Sequence, residues 1–111
     1  MKELTKAEEL VLLTIWRMGD DAYGVAIKRK IQEETGKDLP YGTLYFILDQ
    51  LATKEYIFKI PGKPTPERGG RSKTFYHLTA DGRDALKASF EMHRKVWGNL
   101  TILSFEGGIK E

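Results

Sequence analysis

Cysteine is absent from this chain of 111 residues, which removes disulfides, thiolate metal sites and cysteine nucleophiles at once. Histidine is almost as scarce, with His77 and His93 the only two. No carboxylate pair stands at a telling spacing, so neither a metal site nor a nucleophile–base pair is apparent. The sequence therefore argues against an enzyme and asks for no cofactor or metal. Long apolar runs are missing too: the longest, Leu10 to Leu13, is far too short to span a bilayer. The opening MKELTKAEEL scatters charges and has no apolar core before a small-residue cleavage site, unlike a signal peptide. A cytoplasmic protein is expected, and Asn99-Leu100-Thr101 is then an accidental glycosylation pattern. Gly62-Lys63 is no phosphate-binding loop, because Pro64 replaces the hydroxyl residue and Ile57 the upstream glycine. The single Arg-Gly-Gly at Arg68 is likewise no RNA-binding repeat.

What is present suits one soluble domain, with 41% hydrophobic and 31% charged residues. The net charge of +2 hides an uneven layout. Residues 1–55 hold eight Lys or Arg against ten Asp or Glu, whereas residues 56–111 hold ten against six. Lys59, Lys63, Arg68, Arg71 and Lys73 lie within fifteen residues and are opposed only by Glu67. That is the footprint of a phosphate-contacting patch, although a basic solvated loop has the same composition.

The chain then reads as helices and one hairpin. Thr5-Lys6-Ala7-Glu8 forms a capping box ahead of a helix whose apolar positions are Ala7, Leu10, Val11, Thr14, Ile15 and Met18. Leu12, Leu13 and Trp16 widen that stripe, so a second partner is expected. Gly19 ends the helix and Asp20-Asp21 turn the chain. A second helix, from about Tyr23 to Glu34 and closing at Gly36, has a narrow stripe of Tyr23, Ile27 and Ile31. Its Lys28, Arg29 and Lys30 suit a position over DNA backbone and suit equally well surface pairs such as Lys30 with Glu34. After the short link Lys37-Asp38-Leu39, the stretch Pro40 to Glu55 makes a third helix. Leu44, Ile47, Leu48 and Leu51 share its buried side, and Tyr41, Thr43, Tyr45, Asp49 and Gln50 occupy the other.

After Glu55 the period shifts to two. Tyr56, Phe58 and Ile60 are expected on one face of a strand, with Ile57 and Lys59 on the other. A breaker stretch, Pro61 to Pro66, leads into the basic loop. Thr74, Tyr76 and Leu78 then alternate with Phe75 and His77, which pairs the two runs as an antiparallel hairpin. A hairpin behind a helix-turn-helix is a winged helix. Thr79-Ala80-Asp81 caps a last helix in which Leu86, Phe90, His93, Trp97 and Leu100 are spaced as a coiled-coil seam. The expected architecture is α+β, mainly α. A winged helix-turn-helix domain over 1–79 is followed by a C-terminal dimerisation helix over 80–105, bent or frayed at Gly98, and a disordered tail over 106–111.

At this point the chain resembles PadR-type transcriptional regulators. The resemblance rests on Tyr23-Gly24, Gly42-Thr43-Leu44-Tyr45, Gly69-Gly70-Arg71, and Tyr76-His77-Leu78-Thr79 followed by Gly82, an ordered set over about residues 5–90. It implies a cytoplasmic homodimer that represses promoters by binding operator DNA and releases it when a small molecule binds. Members with a short C-terminus pair the last helix with the partner's first helix, and this chain is similar to them. Effectors in the family include phenolic acids and flat hydrophobic drugs held at the dimer interface. In one multidrug-responsive member a tryptophan stacks on the drug; here that position, after Phe90-Glu91-Met92, is His93. Trp97 lies one turn further along the same face, where an aromatic equally serves as core. His93 and Trp97 are thus the candidate ligand contacts.

Double-stranded DNA is the expected partner. Tyr41, Thr43 and Tyr45 are expected in the major groove, with Lys28 over the backbone and Lys63, Arg68, Arg71 and Lys73 of the wing on phosphates or an adjacent minor groove. The competing expectation is a winged-helix module that binds an acidic protein instead of DNA.

Overall fold

The computed structural model describes residues 3–62 and 73–107. Local signals set the ends of the first two helices. The Glu8 amide donates to the Thr5 hydroxyl and the Thr5 amide to the Glu8 carboxylate, which starts α1, Lys6–Met18. Gly19 ends it at φ 63° and ψ −123°, a backbone state open to glycine and rarely adopted by a residue with a Cβ. A short 3₁₀ turn, Gly19–Asp21, leads to α2, Gly24–Thr35, which closes on left-handed Gly36. Pro40 caps α3, Tyr41–Thr53.

The three helices meet around Leu12, Ile15, Ile27, Ile31, Leu44, Leu48 and Leu51, all fully buried. Leu44, Ile47, Leu48 and Leu51 of α3 are the expected seam. At roughly 2 kcal/mol per buried side chain, these four outweigh any surface contact of the helix and fix its rotation. One ion pair reinforces the packing. Lys54, just past the end of α3, reaches Glu8 with its Nζ 2.8 and 2.7 Å from the two carboxylate oxygens.

The strands β1, Ile57–Pro61, and β2, Thr74–Leu78, pair antiparallel, with Ile57 opposite Leu78 and Lys59 opposite Tyr76. The inward face of β1, which the alternation left open, is that of Ile57. Ile57 is buried with Tyr76 and Leu78, whereas Phe58 and Ile60 are exposed opposite His77 and Phe75. Both faces of β1 carry apolar residues, so alternation alone could not choose between them. Tyr56 is buried, but it precedes the strand. A β-bridge between Tyr23 and Phe75, and a 2.8 Å bond from the Tyr76 amide to the Ala22 carbonyl, attach β2 to the turn before α2.

The fourth helix, α4, Ala80–Trp97, starts at the Thr79 cap. Its first turn lies so close to the hairpin that a Cβ on Gly82 would stand 2.1 Å from the Tyr56 carbonyl oxygen. Thr79 completes the junction, donating its amide to the same carbonyl at 3.0 Å and its hydroxyl to the Glu55 carbonyl at 2.6 Å. Glu55 itself is held at φ 63°. Ala85 and Leu86 are buried in the chain's own core, so Leu86 is no free seam position. Beyond them α4 projects outward and gives the molecule an extent of 61 × 30 × 22 Å. The single helix expected over 80–105 is two. Gly98, at φ 60°, ends α4, and α5, Ile102–Gly107, follows. Glu106 and Gly107 are helical, and the rest of the expected tail, 108–111, lies outside the described residues. The architecture is a winged helix-turn-helix with a helical C-terminal extension.

Gly82→Ala, which sets a methyl group against a backbone carbonyl, is expected to cost about 3 kcal/mol by urea denaturation. Glu55→Gly releases a left-handed side chain and is expected to be neutral or stabilising by up to about 1 kcal/mol. Burial pushes the Glu8 carboxyl up. The bonds from Lys54 and Thr5 and the Lys54 charge outweigh it, holding Glu8 below the ordinary carboxylate range. Its folded pKa is therefore depressed, and the stability it contributes is present above about pH 4.3 and lost as pH falls through the folded value. Glu8→Gln should cost roughly 2 kcal/mol at neutral pH, less than a fully buried pair because Lys54 keeps some solvent. The gap between the two proteins should close towards pH 3 in pH-resolved denaturation.

Candidate nucleic-acid interface

The helix-turn-helix presents the outer side of α3. At 100° per residue, a buried seam at Leu44, Ile47, Leu48 and Leu51 leaves Gly42, Phe46, Asp49 and Thr53 pointing directly away from the core. Tyr41 and Tyr45 lie on the flank towards α2, and Thr43 and Gln50 on the opposite flank. All of these side chains are exposed. Phe46 is the most exposed of the aromatics, at 63%. It was absent from the sequence-based candidates, although its place opposite the seam was readable from the same periodicity.

The flank towards α2 is organised by aromatic and charge contacts. Tyr41 and Tyr45 stack with ring centroids 6.3 Å apart. The Tyr45 ring end packs over Gly24, where an added Cβ would fall 2.2 Å from its hydroxyl oxygen. Tyr45 is therefore half-exposed and wedged between the two helices. Burial first, and then Tyr45 and Asp49 nearby, pushes the Tyr76 hydroxyl up, so that it stays neutral well into the alkaline range.

Lys28 is paired within the chain. Its ammonium lies 2.5 Å from the Asp38 carboxylate and 5.2 Å from the centre of the Tyr41 ring, with the side chain mostly covered. It is thus neutralised within the protein, by a residue ten positions away that sequence spacing does not pair with it. Lys30 forms the expected surface pair with Glu34, at 3.1 Å, which holds Glu34 below the ordinary carboxylate range.

Of the basic wing residues, Lys63, Arg68 and Arg71 lie outside the described residues. Lys73 stands at the base of β2, its ammonium 4.0 Å above the Tyr23 ring, and Tyr23 meets Phe75 edge to face. The Gly62 amide donates to the Lys73 carbonyl at 2.6 Å, closing the base of the wing. Lys59 reaches Asp49 at 3.8 Å. The two described lysines of the hairpin thus both meet the helical part, Lys73 at Tyr23 and Lys59 at Asp49 of α3.

The candidate ligand and dimer residues lie elsewhere, on α4 and α5. His93 stacks on Trp97 at 5.1 Å, and Trp97 meets Phe105 at 5.9 Å. Phe90, Met92, Val96, Trp97 and Leu100 are exposed, as are Leu13 and Trp16 of α1. The Ser89 hydroxyl donates to the Glu9 carboxylate and ties α4 alongside α1. His77 stacks on Phe58 and lies 3.7 Å from Asp20, within the hairpin and its neighbouring turn. Among the described residues no group of three or more His, Asp or Glu could hold a metal, and no helix is long and apolar enough to cross a membrane.

Gly24→Ala is expected to cost about 1–2 kcal/mol by crowding Tyr45. The loss should shrink in a Tyr45→Ala background, and equal losses in both would show that Tyr45 is not what Gly24 accommodates.

Comparison with known proteins agrees with this arrangement. Residues 11–88 match the model of the transcriptional regulator PadR-like family. RosR of Halobacterium salinarum superposes with a TM-score of 0.67 at 29% identity, covering 90% of this chain and 83% of that one. A Streptococcus mutans protein gives 0.68 at 27% identity, with coverage of 94% and 90%. A PadR family transcription regulator of Clostridium difficile gives 0.59 at 26%, with coverage of 81% and 93%. A comparison with the curated proteins finds no match.

Proposed function

From the premise that this chain belongs to the PadR-like family of transcriptional regulators, we propose that it is a repressor that binds a palindromic operator as a homodimer. The carrying observation is the outer side of α3, whose exposed Tyr41, Thr43, Tyr45, Phe46 and Gln50 project from a helix fixed by its buried seam. A helix presented in this way, second in a helix-turn-helix, has the dimensions to enter a major groove. Tyr41 and Thr43 meet base edges, and Tyr45 positions the helix on its α2 flank. Lys73, with the basic residues Lys63, Arg68 and Arg71 of the wing, supplies phosphate contacts that add affinity without sequence information. Lys28 contributes to this only by leaving Asp38.

The second subunit is a copy of this chain. The exposed apolar surface of Phe90, Met92, Val96 and Trp97, beside Leu13 and Trp16, suits pairing of α4 with the partner's α1. Two recognition helices on one face of B-DNA place half-site centres roughly 10 base pairs apart, or a multiple of that. The stacked His93, Trp97 and Phe105 sit on this same surface, where a phenolic or flat hydrophobic effector would stack and shift the spacing of the two reading helices.

A salt-titrated gel shift on DNA flanking the protein's own coding region tests this reading, paired with light scattering for size. The wild type should be a dimer and bind below micromolar at low salt. Lys73→Ala should flatten the slope of log affinity against log salt by up to about one unit. Val96→Glu should yield monomers that lose most of that affinity. A wild-type monomer sinks the palindrome, and an unchanged slope removes Lys73 from the phosphate contacts.

A further inference from the structure

We infer that Phe46 is a specificity-determining residue which reads the C5-methyl group of thymine in the major groove, so that each half-site must carry a thymine at the position facing the middle of α3. The inference rests on the DNA-binding reading above and adds a base preference to it.

The position of the ring makes the argument. Phe46 lies opposite the α3 seam and is 63% exposed. One turn earlier stands Gly42, with open space where a Cβ would point, so the helix can come close to a base edge there. One turn later is Gln50, also exposed and partly on the same side. The remaining outward residues, Asp49 and Thr53, are polar. The ring therefore stands alone among small and polar neighbours, unlike the continuous apolar surface on α4, and does not form part of a protein-docking patch of that kind.

Chemistry then selects the base. A phenyl ring has no donor or acceptor, so it gains nothing from the guanine or adenine acceptors or from the amino groups of cytosine and adenine. Pressing it against them removes their water without replacement. The thymine methyl is the one apolar group that projects into the major groove, and it is the feature such a ring can recognise. Gln50, able to bond both N6 and N7 of adenine, adds a compatible contact beside it. The electrostatics also agree. From Tyr41 to Thr53 the helix carries no Lys or Arg, and its one ionised group, Asp49, faces Lys59 at 3.8 Å. Affinity then comes from charges elsewhere, and this face is left to discriminate.

The test needs no knowledge of the operator. The flanking fragment is amplified once with dTTP and once with dUTP, which deletes every C5-methyl group while keeping base pairing. An unrelated fragment made both ways controls for altered duplex shape. Wild type is expected to bind the uracil version about fifteenfold more weakly, from roughly fourfold per buried methyl group in each of two half-sites. Phe46→Ala, whose thermal melting should match wild type because the ring is exposed, is expected to bind the two versions within about threefold of each other. Equal binding of both versions by wild type overturns the inference and leaves the DNA-binding reading intact. The same fifteenfold preference in Phe46→Ala also overturns it, assigning the methyl contact to another residue. Failure of wild type to bind either version below micromolar at low salt sinks the DNA-binding reading, and this inference with it.

Discussion

The close seating of Gly82 on the carbonyl of Tyr56 is the constraint from which the rest of this structure follows. Tyr56 takes part in three elements through its backbone alone. Its amide donates to Leu51 at the end of α3, its carbonyl accepts from Thr79 at the start of α4, and its carboxyl side begins β1. Any residue larger than glycine at 82 would move α4 away from this point. The third helix and the helix bearing the exposed apolar surface are thus joined by a path of two backbone hydrogen bonds. A displacement at the start of α4 therefore bears directly on the end of α3, with no long loop between them to absorb it.

Positive charge is kept off the outward side of α3. That side holds hydroxyls, an amide, a phenyl ring and the Asp49 carboxylate, while the neighbouring cations are on the hairpin and on α2. One of those cations, Lys28, is already occupied by Asp38. A phosphate can recruit it only in exchange for that carboxylate, which reduces its pull on arbitrary DNA. The Lys54–Glu8 pair belongs to a different task, since it is almost covered and holds α1 to the end of α3.

How much of this was legible in the sequence depended on range. Caps, helix ends and the α3 seam are decided by residues three or four apart, and Thr5, Gly19, Gly36, Thr79 and the four apolar residues of α3 announced them correctly. The hairpin was legible, but the inward face of β1 was not, because Phe58 and Ile60 are as apolar as Ile57 and only the packing against Tyr76 and Leu78 distinguishes them. Leu86 matched the seam spacing of α4, yet the core claimed it. The break at Gly98 was foreseen as a bend and is a helix end, since its left-handed backbone cannot continue the helix. The partner of Lys28 is not legible in the sequence, because Asp38 lies in the loop after α2, too distant for helical spacing rules. Phe46 is less legible than its neighbours because its ring has no donor or acceptor, and an outward apolar residue on a helix carries no chemical signal of its own in the sequence.

The bridge between Tyr23 and Phe75 has one more consequence, for the behaviour of the chain at high concentration. It covers one side of β2, while β1 covers the other, so the sheet has a single open margin along β1. With Phe58 and Ile60 exposed there, that margin is the natural place for a stray strand to add. Lys59 and Pro61 stand on the same strand, one bringing a charge that must stay hydrated and the other lacking the amide a new neighbour needs. The wing is thereby kept from recruiting further strands.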